Sequence, residues 1–129
     1  MDGDILMGMD VYGENPRDKE KGAYFRNNVW YWHPLWDYVC KTCDDIISEE
    51  EHSSGHFNDG LLITDEQCKI IVKVLSEQLL NGETKVYETS FALANPKDYA
   101  EDEPHYPFTV ENVREFRDFA KECGGFRIS

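Results

Sequence analysis

The sequence is poor in basic residues and contains no long apolar run. Only 13 of its 129 residues are Lys or Arg, against 26 Asp and Glu, so the formal net charge is -13 at pH 7. This charge repels phosphates and anionic lipids, so we expect no direct binding to nucleic acid or to a membrane. No run approaches the roughly 18 to 20 apolar residues of a membrane span, and acids stand where a signal peptide carries bases. The expected location is the cytoplasm.

Motifs that identify enzymes are also missing. The chain has no His-Glu-x-x-His, no Gly-x-Ser-x-Gly and no phosphate-binding glycine loop. We therefore predict no catalytic residues and no enzymatic activity. His33 and His105 lie among aromatic residues, where a histidine is more often packed and hydrogen-bonded than catalytic.

One domain of mixed structure is predicted for residues 1–129. With 40% hydrophobic and 13% aromatic residues, the chain can fill one core and is too short for a second. The expected class is α+β, mainly helical, with three to four helices around an aromatic core and a small terminal strand pair. The strands would be Met9–Val11 and Phe126–Ser129, because no other extended segment is evident to pair with either.

Capping residues place the first two helices. The first is predicted to run from Pro34 to about Ile47, with the proline at the first position, where its missing N–H is harmless. Thr64 and Gln67 form a capping box for the second helix. Asn81-Gly82 supplies a left-handed stop at its end.

The second half of the chain contains two further predicted helices. One covers residues 83–94, and the other begins at Thr109 and runs to Cys123, before Gly124-Gly125. Three segments are predicted to be irregular: 1–23 at the N-terminus, an acidic loop at 48–60 and an acidic crossing at 97–107.

Two thiols and two imidazoles have the pairwise spacing of a zinc site. Cys40-x-x-Cys43 is followed by His52-x-x-x-His56, as in tetrahedral zinc sites. Only eight residues separate the pairs, against about 12 in a zinc finger, and both cysteines fall on the first helix. The alternative is two buried helix residues beside a polar loop. Zinc is therefore the one possible cofactor, and a zinc-stabilised interaction module is one alternative function.

The acidic residues are concentrated in one stretch. No basic residue occurs between Lys41 and Lys69, where there are eight acids. If this stretch lies beside a second acidic cluster near residue 100, the two would present carboxylates to a basic partner as a phosphate backbone does. The alternative is a solvated face that keeps the protein in solution. The predicted partner-binding residues are Asp44, Asp45, Glu49, Glu50, Glu51, Asp59, Asp98, Glu101, Asp102 and Glu103.

An aromatic segment suggests another alternative, a small-ligand or nucleotide site. Trp30, Tyr31 and Trp32 are consecutive, so in an extended chain at least one ring would emerge unless another element covered it. An exposed ring beside polar side chains could stack a base, although core packing is favoured in so small a domain. The residues of this alternative site are Arg26, Asn27, Asn28, Trp30 and Trp32.

The order of several motifs resembles a family of small uncharacterised phage and prophage proteins. The motifs are Gly8-Met9-Asp10-Val11-Tyr12-Gly13, Tyr24-Phe25-Arg26-Asn27-Asn28-Val29-Trp30, Trp32-His33-Pro34-Leu35-Trp36, Asn58-Asp59-Gly60, Tyr106-Pro107-Phe108 and Gly124-Gly125-Phe126. The resemblance covers most of the chain and implies a phage origin, but no activity. Some members have a Cys-x-x-Cys-rich insertion that this chain lacks, so the resemblance gives no support to zinc at Cys40.

A phage origin suggests a function for the acidic stretch. Small acidic phage proteins are often inhibitors of host nucleic-acid machinery or of defence systems such as CRISPR effectors. We therefore expect a non-enzymatic inhibitor, a nucleic-acid mimic of the anti-CRISPR kind. Its expected partner is a basic host protein that binds nucleic acid or acts in antiviral defence.

Overall fold

The computed structural model describes residues 8–96 and 107–129. Within these ranges the strands are β1 (Gly8–Gly13), β2 (Tyr24–Asn28), β3 (Leu61–Ile63) and β4 (Phe126–Ile128). The helices are α1 (Lys19–Gly22), α2 (Val29–Thr42), α3 (Glu49–Ser54), α4 (Asp65–Leu80), α5 (Glu83–Ala94) and α6 (Val110–Glu122). The protein is a mainly helical α+β fold, as the sequence predicted, with four longer helices and two short ones in the described ranges.

The strands form one antiparallel sheet in the order β2-β1-β4-β3. Val11 lies opposite Phe25 on one side and Ile128 on the other, which confirms the predicted pairing of the two terminal strands. Met9 and Val11 are buried, whereas Asp10 is half-buried and Tyr12 is exposed, as expected for a sheet with one face in water.

The prediction that no other extended segment exists was wrong, because β2 and β3 complete the sheet. The β2 sequence ends in two asparagines, which are disfavoured in strands, and its pairing with β1 overrides that local preference. Strand β3 has only three residues, too few to show a period of two. Neither strand is recognisable without its partner.

An aromatic core lies between the inner face of the sheet and the helices. Trp32 and Trp36 stack with ring centroids 5.6 Å apart. Phe116 of α6 contacts Trp32 and also Phe126 of β4, both edge-on. The largest fully buried side chains include Trp32, Trp36, Tyr38, Phe108, Phe116 and Phe126. The predicted aromatic core is confirmed.

Helix α2 begins five residues before the predicted start. The side chain of Asn28 accepts a hydrogen bond from the Tyr31 amide and caps the helix, so Pro34 lies inside it and not at its first position. At an interior position proline costs the bond to the carbonyl four residues earlier, and burial of the surrounding rings offsets that cost. The helix ends at Thr42, before the predicted Ile47.

The segment 48–60 is not wholly irregular, because it contains α3. Ser48 accepts from the Glu51 amide, and the Glu51 carboxylate accepts from the Ser48 amide, which completes a capping box. A helix of six residues that buries none of them shows no apolar period. The capping box was the only local signal of this helix.

Helices α4, α5 and α6 match their predictions closely. The Thr64–Gln67 capping box is present, and Gly82 has a φ of 86° beyond the end of α4. Thr109 caps α6, and Gly124 and Gly125 follow that helix with positive φ angles. A Cβ at Gly124 would lie 2.2 Å from the Asn15 carbonyl oxygen, so this position excludes any side chain.

The N-terminal segment 1–23 is more regular than predicted where the structure describes it. Besides the predicted strand, which is β1, it contains the short α1, and the backbone between them is hydrogen-bonded to the end of α6. Glu14, Asn15 and Arg17 donate backbone hydrogen bonds to the carbonyls of Gly125, Cys123 and Glu122. Apart from Pro107, the predicted acidic crossing 97–107 lies outside the described residues.

Candidate functional site

Helix α3 carries the part of the acidic stretch that converges on one surface. Glu49 and Glu50 are exposed in its first turn, and Asp59 is exposed after its end. An open cavity of about 550 Å³ is lined by Glu49, Glu50, Ser53, Ser54, Phe57 and Asp59. We define the acidic surface as Glu49, Glu50, Phe57 and Asp59.

Phe57 is the apolar member of the acidic surface. Its ring is 63% exposed, unlike the buried rings of the core. An exposed large ring bordered by carboxylates combines apolar contact area with a negative field. The arrangement therefore suits a basic partner that also offers an apolar pocket.

The other predicted partner-binding residues have different positions. Asp44 and Asp45 are exposed in the turn after α2. The Glu51 carboxylate is used inside the protein, because it caps α3 and accepts from the Gln67 side chain at 3.3 Å. Glu51 is therefore a structural residue that joins α3 to α4. The remaining four predicted residues, Asp98, Glu101, Asp102 and Glu103, lie outside the described residues.

A cluster of three histidines and one aspartate lies between α2 and α3. Oδ1 of Asp37 is 2.7 Å from Nε2 of His52 and 2.8 Å from Nε2 of His56. Nδ1 of His56 is 2.7 Å from Nδ1 of His33. We call these four residues the histidine cluster. His33 is packed and hydrogen-bonded, as the sequence predicted, whereas His105 lies outside the described residues.

Two tryptophans hold this cluster together. His33 and Asp37 are one turn apart on α2, and each follows a tryptophan. The buried indoles of Trp32 and Trp36 donate to the carbonyls of Gly55 and His52, at 2.8 and 2.9 Å. The backbone that carries the other two histidines is thereby fixed against α2.

Gly55 permits this close approach. A Cβ at residue 55 would lie 2.2 Å from Nε1 of Trp36, and that ring is buried and cannot move aside. The φ of Gly55 is −67°, which any residue adopts, so the requirement is for space alone. A side chain here would separate α3 from α2.

The carboxylate of Asp37 is ionised near neutral pH. Burial by itself would raise its pKa, but hydrogen bonds from His56 and His52 outweigh burial and hold the pKa below its ordinary value. An ionised carboxylate only accepts hydrogen bonds, so both imidazoles donate to it through Nε2. A neutral His56 then has an unprotonated Nδ1 that accepts from His33.

His33 favours its neutral form. Burial lowers its pKa, and the neighbouring His56 lowers it further, while Asp37 opposes both effects. With its Nδ1 proton directed at His56, neutral His33 keeps a lone pair on Nε2. The cluster thus forms a chain from the His33 ring through His56 to Asp37.

The predicted Cys2His2 zinc site does not assemble. His52 and His56 do lie together, but their partner is Asp37, and neither thiol belongs to a group of converging ligand atoms within the described residues. Cys40 and Cys43 are buried on and just after α2. Burial raises the pKa of both thiols, that of Cys43 to about 11, whereas zinc needs thiolates. The alternative is confirmed for Cys40, a buried residue of α2, whereas Cys43 is buried just after that helix.

Most residues of the alternative ligand site are buried or bonded to other parts of the protein. Trp32 is fully buried, and Arg26 lies 3.3 Å from Asp10 on the outer face of the sheet. Asn27 exchanges two hydrogen bonds with Asn112, while Asn28 caps α2. Trp30 is half-buried in the first turn of that helix. Trp32, Arg26, Asn27 and Asn28 therefore have roles in the fold itself.

Comparisons with protein-family models, curated proteins and solved structures find no match for this chain. The phage resemblance and the function inferred from it therefore stay predictions. No helix in the described ranges has the length and apolar character that crossing a bilayer requires.

Sequence reasoning missed Asp37 as a member of the site. A signal was present, since His33-x-x-x-Asp37 and His52-x-x-x-His56 are both pairs at a spacing of four. The first pair lies on one face of α2, whereas His52 lies on α3 and His56 in the turn just after it, and the two pairs face each other. The emphasis on cysteine as the zinc ligand obscured this pattern.

Proposed function

We propose that this protein is a non-enzymatic inhibitor that binds a basic, nucleic-acid-binding surface of a host protein through its acidic surface. The observation that carries the proposal is the convergence of Glu49, Glu50 and Asp59 around the exposed ring of Phe57. The occupied surface would be unavailable to nucleic acid, and competition of this kind needs no catalytic group.

Charge supports the choice of partner. The net charge of -13 makes approach to a basic groove favourable at long range and approach to nucleic acid unfavourable. Rim charges of this kind accelerate association and select the partner, whereas a buried ring at the centre contributes more of the affinity. Phe57 would be that central contact.

The experiment compares two variants with the same net charge. Glu49→Gln, Glu50→Gln and Asp59→Asn together remove three charges from the acidic surface. Glu77→Gln, Glu83→Gln and Glu115→Gln remove three exposed charges from α4, α5 and α6. Both variants keep their cores, so both should melt close to the unmodified protein.

The readout is capture of basic proteins from a bacterial lysate on immobilised protein, followed by competition with duplex DNA. We expect salt to release the captured proteins and duplex DNA to displace them. The first variant should bind them with about tenfold lower affinity, since each lost charge costs about 0.5 kcal/mol. The second variant should capture as well as the unmodified protein. Equal loss in both variants, or a captured protein that binds DNA at the same time, would overturn the proposal.

Phe57→Ala tests the apolar contact separately. Truncation of a central ring costs about 1–2 kcal/mol of binding, which is about five- to thirtyfold in affinity. Leu80→Ala is the matched control, because Leu80 is 90% exposed at the far end of α4. Unchanged affinity in Phe57→Ala would remove the ring from the interface.

A further inference from the structure

Within the described residues, one group of three possible metal ligands has all its ligand atoms within 4.8 Å of one another. The group consists of Asp37, His52 and His56. We propose that these three side chains bind one divalent transition-metal ion of the Zn²⁺ type. This site shares no ligand with the acidic surface, although Glu49 borders both, and it does not depend on the proposed inhibitory function.

The ligand set has the chemistry of such an ion. Two imidazole nitrogens and one carboxylate oxygen are the protein ligands of open zinc sites, in which water or another group takes the fourth position. Mg²⁺ and Ca²⁺ prefer oxygen ligands throughout, so two imidazoles select against them. The set therefore distinguishes transition-metal ions from the abundant hard cations.

The distances fit after a small adjustment. Asp37 Oδ1 lies 2.7 and 2.8 Å from the two Nε2 atoms, held by hydrogen bonds. Tetrahedral zinc with bonds of about 2.0–2.1 Å needs ligand atoms roughly 3.3 Å apart. Asp37 and His52 have side chains 52% and 41% exposed, so rotation about their side-chain bonds can supply this expansion.

The surrounding structure orients the ligands. The Trp32 and Trp36 indoles fix the backbone at Gly55 and His52, so the imidazoles face α2 without a metal. His33 contacts the second ring nitrogen of His56, at 2.7 Å. When Nε2 of His56 binds a metal, the proton of the neutral ring resides on Nδ1. The hydrogen bond between the two rings then reverses, so that Nδ1 of His33 accepts it and the proton of neutral His33 resides on Nε2. Metal-bound histidines commonly have such a second partner.

Access and charge also favour a cation. A second open cavity of about 410 Å³ borders the site, and Asp37 and His52 belong to its lining. The same lining contains two further carboxylates, of Asp44 and Glu49, and one cation, Lys41, so its net charge is negative. The local field attracts a divalent ion, and the open side leaves a coordination position for water.

The test is titration of chelator-treated protein with Zn²⁺ by calorimetry and with Co²⁺ by absorbance. We expect one equivalent of each ion and a rise in the melting temperature with Zn²⁺, because an ion that binds only the folded state stabilises it. The Co²⁺ complex should show d–d bands without sulfur-to-cobalt charge-transfer absorbance. Mg²⁺ in large excess should not displace either ion.

Variants assign the ligands. Asp37→Asn, His52→Gln and His56→Gln should each lower the Zn²⁺ affinity by more than tenfold. His33→Gln should lower it about tenfold, as loss of an outer hydrogen bond does. Cys40→Ser and Cys43→Ser test the thiols, and His105→Gln, outside the described residues, tests for non-specific imidazole binding; none should change the affinity.

Each contrary result overturns the proposal. Sulfur-to-cobalt absorbance that disappears in Cys40→Ser would assign the metal to the Cys2His2 set. The proposal also fails if Asp37→Asn and the histidine variants bind Zn²⁺ as tightly as the unmodified protein, or if no stoichiometric binding is found. The cluster would then be a hydrogen-bonded group that binds no metal. If a variant fails to fold, the Co²⁺ spectrum and the stoichiometry of the unmodified protein still decide the question.

Discussion

Helices α3 and α6 are attached to the protein in different ways. Helix α6 buries five residues, among them Phe116 and Phe119, and packs its apolar stripe against α4. Helix α3 buries none of its six residues. It is held by indole donors from α2, by the contact of Glu51 with Gln67 and by the histidine cluster.

The difference explains why both candidate sites include residues of α3 and of the segment just after it. Burial of large apolar groups holds α6 firmly against the core, so the position of this helix varies little. Hydrogen bonds contribute only about 1 kcal/mol each. They orient α3 against α2, but we expect α3 to open locally at a lower free energy than α6. A segment of low local stability with exposed charges can adjust to an ion or a partner. The following predictions test this contrast, from the largest expected effect to the smallest.

Phe116→Ala should have the largest effect. The ring is fully buried and contacts Phe25, Trp32 and Phe126, with centroids 5.4–5.9 Å away. Loss of its contacts and the resulting cavity should lower the free energy of unfolding by about 3–5 kcal/mol in urea denaturation. Phe57→Ala, with an exposed ring, should change it by less than about 0.5 kcal/mol. Similar costs for the two phenylalanines would contradict the contrast.

Gly55→Ala should disrupt α3 while α6 stays intact. The added methyl group overlaps the buried Trp36 ring, so we expect a cost of about 1–3 kcal/mol and loss of the indole hydrogen bonds. The indole N–H resonances of Trp32 and Trp36 should shift, and Zn²⁺ affinity should fall. Ser53→Ala, exposed on the same helix, is the control. Unshifted indole resonances would show that α3 does not depend on this close approach.

Ser48→Ala and Thr64→Ala remove the same kind of cap from the two kinds of helix. Each loses one side chain that accepts from a backbone amide, at about 1 kcal/mol. In α3 the loss should raise hydrogen exchange at the His52 and Gly55 amides about fivefold and leave global unfolding unchanged. In α4 it should lower the global free energy of unfolding. Equal global effects would mean that α3 unfolds only with the core.

The charge of Glu88 should give the smallest effect, a pH dependence of the folding stability that arises where α5 contacts α6. Its carboxylate accepts from Lys85 and from the Val110 amide at the start of α6. Burial alone would raise its pKa, but these bonds hold the pKa below its ordinary value of 4.5. The ionised group therefore stabilises the fold above pH 4.5, and this stabilisation is lost as the pH falls through the folded pKa.

The measurement is stability between pH 6 and pH 3 for the unmodified protein and for Glu88→Gln. The difference between the two should be largest at pH 6 and should shrink toward acid pH. Comparison with the variant removes the common contribution of the other carboxylates. A difference that is constant across this range would show that the Glu88 charge has no role in joining α5 to α6.

Much of the helical fold was predictable because the signals are local. Thr64 and Gln67, Asn81-Gly82, and Thr109 with Gly124-Gly125 each act within a few residues, through a hydrogen bond or a positive φ. The first helix was misplaced because Pro34 is a common first residue, whereas Asn28 is the actual cap. Strand β2 was missed because it ends in two asparagines, which are disfavoured in strands, and only its pairing with β1 overrides that preference.

The acidic surface and the histidine cluster also differ in how far the sequence predicts them. The exposed acids Glu49, Glu50 and Asp59 were identified from charge alone, since a run without basic residues is visible in the sequence. The zinc prediction expected His52 and His56 to lie together, which they do, but with thiols, whereas their neighbour in the structure is Asp37. Only the return of α3 onto α2 places Asp37 between them, and that return depends on two buried indoles.

The sequence by itself determined the caps of α4 and α6, the aromatic core and the acidic stretch. Each follows from composition or from interactions between near neighbours along the chain. The terminal strand pair joins the two ends of the chain, and it was predicted only because neither strand had another evident partner. The tertiary structure alone decided the four-stranded sheet, the burial of the thiols and the meeting of Asp37 with His52 and His56. Those contacts join residues distant in sequence, and their geometry depends on how the helices and strands pack around the core.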